Sequence, residues 1–80
     1  MQEKYWLNFV LRAYGESAQT IKSALSEFGE HLEITEDTEG EGQARDYKIR
    51  IQTEEPTLVF DACSQLGRIK SVKIKEEGGP

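Results

Sequence analysis

From Tyr5 to Ala13 the odd positions Tyr5, Leu7, Phe9, Leu11 and Ala13 are apolar, while the even positions mix Trp6, Asn8, Val10 and Arg12. A period of two predicts a strand with one buried face. Gly15 ends the alternation, and Ser17 offers a hydroxyl cap to a helix whose apolar residues Ala18, Ile21, Leu25 and Phe28 recur in steps of three and four. Gly29 is read as the left-handed residue that stops this helix, and Leu32 with Ile34 begins a second strand. Residues 36–44 hold Glu36, Asp37, Glu39 and Glu41 around Gly40 and Gly42, the composition of an acidic hairpin loop. Tyr47, Ile49 and Ile51 then restore the alternation. Glu55-Pro56 opens a second helix with proline in its first turn and an apolar stripe of Leu58, Val59, Ala62, Cys63 and Leu66. Gly67 closes that helix, and Val72 with Ile74 marks a last strand.

The second half of this order repeats the first at an offset of 38, with Phe9 falling on Tyr47 and Phe28-Gly29 on Leu66-Gly67. Two strand-helix-strand units in one small chain predict an α+β, ferredoxin-like βαββαβ two-layer sandwich, a four-stranded antiparallel sheet with two helices on one face. Right-handed crossovers set the first and third strands side by side and leave the second and last at the edges. Residues 1–76 are expected to form one domain and residues 77–80 a frayed tail. Eighty residues leave one small core and little room for an enclosed cavity, so a ligand would occupy a groove, a loop or a subunit interface.

A net charge of −5 disfavours generic attraction to nucleic acid or an anionic membrane. Cys63 is the only cysteine, so neither an internal disulfide nor a Cys-x-x-Cys pair can form. Met1 leads into Gln-Glu-Lys and a strand pattern without the basic and long apolar regions of a signal peptide, and the apolar runs are too short to cross a bilayer. A cytoplasmic setting is expected.

Strand parity gives this acidic chain a basic face. With the odd positions of the first and third strands in the core, Lys4, Trp6, Asn8, Val10, Arg12, Lys48, Arg50 and Gln52 point outward, joined on the last strand by Lys73 and Lys75. The candidate binding residues there are Trp6, Arg12, Lys48, Arg50, Lys73 and Lys75, with the carboxylates expected in loops and helices. A basic sheet with an aromatic is the arrangement on which RNA bases stack. Yet Asp46-Tyr47-Lys48-Ile49-Arg50-Ile51 lacks the glycine and outward aromatics of that motif, and Trp6 stands as the single aromatic outside. An open face also needs charge to avoid sticking, with Glu33 available for cross-strand pairing.

No catalytic or metal set assembles from the remaining residues. The acidic loop fits the first, third, fifth and sixth positions of a calcium-binding loop, but Lys48 stands where the bidentate carboxylate is required. His31, the only histidine, is read as a surface residue, Cys63 as a buried inert thiol and Ser17 as a cap instead of a nucleophile. No cofactor or metal is expected, and the chain is read as a non-enzyme.

The strand, turn glycine and helix at Tyr14-Gly15-Glu16-Ser17, together with the helix endings Phe28-Gly29 and Leu66-Gly67, resemble the ACT regulatory domains. The resemblance implies a regulatory, self-associating module in which Tyr14, Gly15, Glu16 and Ser17 surround a small ligand or a subunit contact, a backbone amide at the helix start receiving a carboxylate. The expected partners are a second copy of the chain, a small molecule or a protein, with no membrane; RNA or another polyanion on the basic sheet face is the alternative.

Overall fold

Alternation on the two longest polar-apolar runs decides the architecture. In the computed structural model, which describes residues 3–37 and 44–77, the chain runs β1 (Lys4–Tyr14), α1 (Ala18–Leu25), β2 (Glu30–Asp37), β3 (Ala44–Thr53), α2 (Pro56–Leu66) and β4 (Gly67–Glu77). The strands form one antiparallel sheet in the order β2-β3-β1-β4, with both helices against one face: a ferredoxin-like α+β sandwich. The odd residues Leu7, Phe9, Leu11, Ala13, Tyr47, Ile49 and Ile51 are all buried and meet Ile21 and Leu25 of α1 and Val59 and Cys63 of α2. Phe60 closes over Phe9 edge to face, with ring centroids 5.6 Å apart. Burial pushes the Cys63 thiol up to about 12, which keeps it protonated and unreactive in the folded chain.

Ser17 caps α1, accepting a hydrogen bond from the Thr20 amide at 3.2 Å, and Pro56 occupies the first turn of α2. α1 is shorter than its apolar stripe suggests. It ends at Leu25, and Ser26–Phe28 form a turn through which Phe28 reaches the core. Gly29 does not take the left-handed conformation expected of it and Gly67 is extended at φ 175°; among the described glycines only Gly15, at φ 76°, lies in the left-handed region. The reason for glycine is space. A Cβ at Gly29 would stand 2.5 Å from the Gln52 carbonyl oxygen, and one at Gly67 would stand 2.1 Å from that of Arg12. Both chains turn from helix into edge strand directly against the backbone of a central strand.

Two irregularities separate the edge strands from simple alternation. Between Asn8↔Lys73 and Val10↔Lys70 the β1–β4 register shifts by one, so Ser71 and Val72 together oppose Phe9; Ser71 has φ 58°. Between Glu30↔Gln52 and Glu33↔Arg50 the β2–β3 register shifts likewise, so His31 and Leu32 oppose Ile51; His31 has φ 54°. Each is a β-bulge, an inserted residue that bends an edge strand. β2 begins at Glu30, earlier than Leu32, and Glu77, expected in the tail, belongs to β4. The hairpin around Gly40 and Gly42 and the tail from Gly78 lie outside the described residues. No described helix is long and apolar enough to cross a membrane.

Gly67→Ala is expected to destabilise the domain by about 1–3 kcal/mol, since the clash falls on backbone that cannot move aside. Gly15→Ala meets nothing within 4 Å and carries only the strain of its positive φ, about 1–2 kcal/mol. Denaturant titration of the two variants should rank Gly67→Ala as the more damaging.

Candidate binding surface on the open sheet face

The observed register turns the uncovered face into a grid. Read across β2, β3, β1 and β4, its rows are Glu30, Gln52, Trp6 and Lys75; Glu33, Arg50, Asn8 and Lys73; Thr35, Lys48, Val10 and Lys70; and Asp37, Asp46, Arg12 and Arg68. Cross-strand partners share a face, so each row is a line of neighbours. The column on β2 is acidic and the column on β4 is wholly basic. The expectation that carboxylates would collect in loops and helices is therefore corrected: Glu30, Glu33, Asp37 and Asp46 lie on the same face as the cations. The charge separates laterally, from one sheet edge to the other.

The two bulges produce this separation. On β4, Arg68 and Lys70 stand on even positions and Lys73 and Lys75 on odd ones, and the residue inserted at Ser71 brings both pairs to one face. Strict parity misses Arg68 and Lys70 for this reason. The signal in the sequence is the spacing of Ile69, Val72 and Ile74, three then two, instead of two and two.

Asp46, also missed, sits where the acidic and basic halves meet. Its side chain is only 12 % exposed; Arg12 Nε donates to one carboxylate oxygen at 2.8 Å and Lys70 Nζ to the other at 3.0 Å. The hydrogen bonds from Arg12 and then Lys70 lower its pKa to about 2. Arg12 and Lys70 are thus held by an internal carboxylate, and Lys4 lies 3.7 Å from Glu30. Lys48, Arg68, Lys73 and Lys75 form no ion pair with the described residues. Lys48, Arg50 and Lys73, with one carboxylate, Glu33, line a shallow groove of about 350 Å³ together with Asn8 and Val10.

Trp6 is not the isolated aromatic that parity suggests. The Arg50 guanidinium lies over its ring at 4.4 Å from the centroid, a cation-π contact, and the ring of His31 stands 6.0 Å away at a tilt of 34°. The bulge at His31 carries that exposed side chain to the Trp6 corner. Gln52, expected outward, sits in this corner opposite Trp6 and is only 7 % exposed.

The turn after β1 brings Gly15, Glu16 and Ser17 together with Glu36, Arg45 and Tyr47 around a depression of about 410 Å³. The Tyr47 hydroxyl donates to the Glu16 carbonyl oxygen at 3.0 Å, Ser17 is engaged with Thr20, and the Arg45 guanidinium is bound to Glu36. Tyr14 is 64 % exposed and stands outside this lining. The turn is a built structural joint, and its lining cation already holds a carboxylate of the chain. Among the described residues, no three His, Cys, Asp or Glu side chains gather as metal ligands.

The chain matches no family model, no curated protein and no solved structure. A fold of this kind hosts unrelated functions, so the surface itself has to carry the functional argument.

The depressed pKa of Asp46 gives a signed expectation. Its folded value lies below its ordinary value of 3.8, so its contribution to stability is full above about pH 4 and is lost as pH falls toward about 2. Asp46→Asn should lose about 1–2 kcal/mol at neutral pH and leave a flatter stability profile between those limits, read by urea unfolding in a pH series.

Proposed function

We propose that this chain is a non-enzymatic binding module that recognises a macromolecular partner through its uncovered sheet face, a regulatory or adaptor role like that implied by the resemblance to ACT domains. The observation that carries this reading is the lateral segregation of charge, with the basic column of β4 ending in Lys73 and Lys75, which no described carboxylate neutralises. A face whose charges served only to repel water-exposed neighbours would mix signs along each strand and satisfy them across strands. Here one edge is left charged. Trp6, Arg50, Lys48, Lys73 and Lys75 form the proposed contact surface, with Arg68 and Lys70 added to it.

The small-ligand reading of Tyr14, Gly15, Glu16 and Ser17 is the weaker part of the resemblance, because Glu16 and the Glu36–Arg45 pair leave an incoming carboxylate little to bind. Polyanion binding is favoured by one observation, the cationic groove between Lys48 and Lys73. Against it, the Trp6 face on which a base would stack is taken by Arg50, and the chain as a whole is acidic.

Amide shifts followed by NMR test the proposal. Three probes suffice: an acidic peptide of alternating Glu and Val, a short oligouridine and a mixture of amino acids. Shifts from the peptide, centred on β4 and β3 and lost in Lys73→Glu/Lys75→Glu, support the reading. Shifts from oligouridine that fall with salt and quench Trp6 fluorescence would assign the same face to polyanions. Amino-acid shifts confined to residues 14–17, or a silent sheet face with every probe, would overturn it.

A further inference from the structure

We infer that the β4 edge pairs with the β2 edge of a second copy of this chain, continuing the sheet head to tail. The inference rests on the proposal that the sheet is the working surface, and it names the partner. Among the described residues each edge strand is hydrogen-bonded on one side only, by β1 for β4 and by β3 for β2. Every neighbouring pair is antiparallel, so across four strands β2 and β4 run in opposite directions. A second copy displaced along the sheet therefore sets its β2 antiparallel to β4, with all helices on the same side. Such an edge is a ready template for one more strand.

Charge selects this pairing over the symmetric ones. Two β4 edges brought together would oppose Lys73 and Lys75 to lysines, and two β2 edges would oppose carboxylates, both unfavourable across strands. β4 against β2 sets Lys73 and Lys75 against Glu33 and Thr35. The helix-side residues fit as well. Val72 and Ile74 project from β4 at 45 % and 54 % exposure, on the same side of the sheet as buried Leu7. Beside β2, between that strand and α1, lies a depression of about 470 Å³ lined by Ala18, Lys22, Leu32 and Ile34 among others. The register that seats these groups places Ile74 against Ile34, Lys75 against Glu33 and Lys73 against Thr35, with Lys73 diagonal to Glu33. It uses residues 33–36 and 72–75, so the inserted residues His31 and Ser71 stay outside the pairing. Because the two surfaces differ, one contact leaves both outer edges free, and assembly proceeds beyond two copies.

Sedimentation velocity of the full chain over a concentration series tests this, at ionic strengths of roughly 0.02 M and 0.5 M, where screening differs several-fold. The expected result is mass that rises past the dimer with concentration and falls with salt. Lys73→Glu/Lys75→Glu and Glu33→Lys/Thr35→Lys should each weaken association about tenfold or more, and mixing the two variants should restore it, since each supplies the edge that the other lacks. All substituted residues are exposed, and circular dichroism with thermal melting confirms that the variants fold. A strict monomer at every concentration, assembly that stops at a dimer, or association indifferent to both double variants overturns the inference. If the monomer still shows peptide or oligouridine shifts at Lys73 and Lys75, the self-pairing fails while the sheet-face reading stands.

Discussion

Ser71 on β4 and His31 on β2 each hold a positive φ and each add one residue to an edge strand, and the chemistry of the open face depends on that insertion. Side chains alternate along a strand, so a one-residue slip exchanges the two faces. In β4 the slip occurs halfway. Ile69 and Ile74 both lie opposite core residues, Leu11 and Leu7, and all four cations from Arg68 to Lys75 lie opposite open-face residues of β1. A bulge here reconciles two stretches of opposite parity. It also bends the edge, which is how natural sheets moderate their unpaired strands.

The central strands supply the rigid reference for this arrangement. The odd residues of β1 and β3 fill the space beneath two helices, and Gly29 and Gly67 let the backbones of the edge strands start against Gln52 and Arg12 without a side chain between. With the core face fixed, the even residues have no choice of direction. Asp46 is held between cations at one end of the open face, and by tying Arg12 to Lys70 it joins β3, β1 and β4 through side chains as well as backbone. Charge left over after that pairing accumulates at the β4 edge, where it defines the surface that a partner would meet.

Most of this fold was legible in the sequence because period-two and period-3.6 patterns report burial directly: Leu7 through Ala13, Tyr47 through Ile51, and Ile21, Leu25, Val59 and Cys63 of the helices lie where their spacing puts them, while Leu58, placed in the same stripe of α2, is 41 % exposed. What parity could not reach were the departures from parity. Arg68 and Lys70 were hidden by the insertion at Ser71, and Asp46 looked like the polar start of a strand until its register opposite Arg12 placed it between two cations. Leu66-Gly67 was visible as a helix end, and Phe28-Gly29 was read as one although α1 stops at Leu25, but the demand both glycines answer is a close approach to a strand far away in sequence, which local pattern does not encode. The ligand turn was legible as a turn: Gly15 has its positive φ and Ser17 caps the helix, both local effects. Its electrostatics depend on Glu36 and Arg45, brought there by the sheet.

The polarity of the face therefore stands or falls with the phase of β4, and interstrand nuclear Overhauser contacts in the isotope-labelled chain measure that phase most directly. The expected pairs are Arg12 opposite Arg68 and Val10 opposite Lys70, then Asn8 opposite Lys73 and Trp6 opposite Lys75, with Ser71 showing the strong intraresidue amide-to-Hα contact of a positive φ. An unbroken ladder through Ser71, continuing the Asn8–Lys73 pairing so that Lys70 falls opposite Leu11, would contradict this phase.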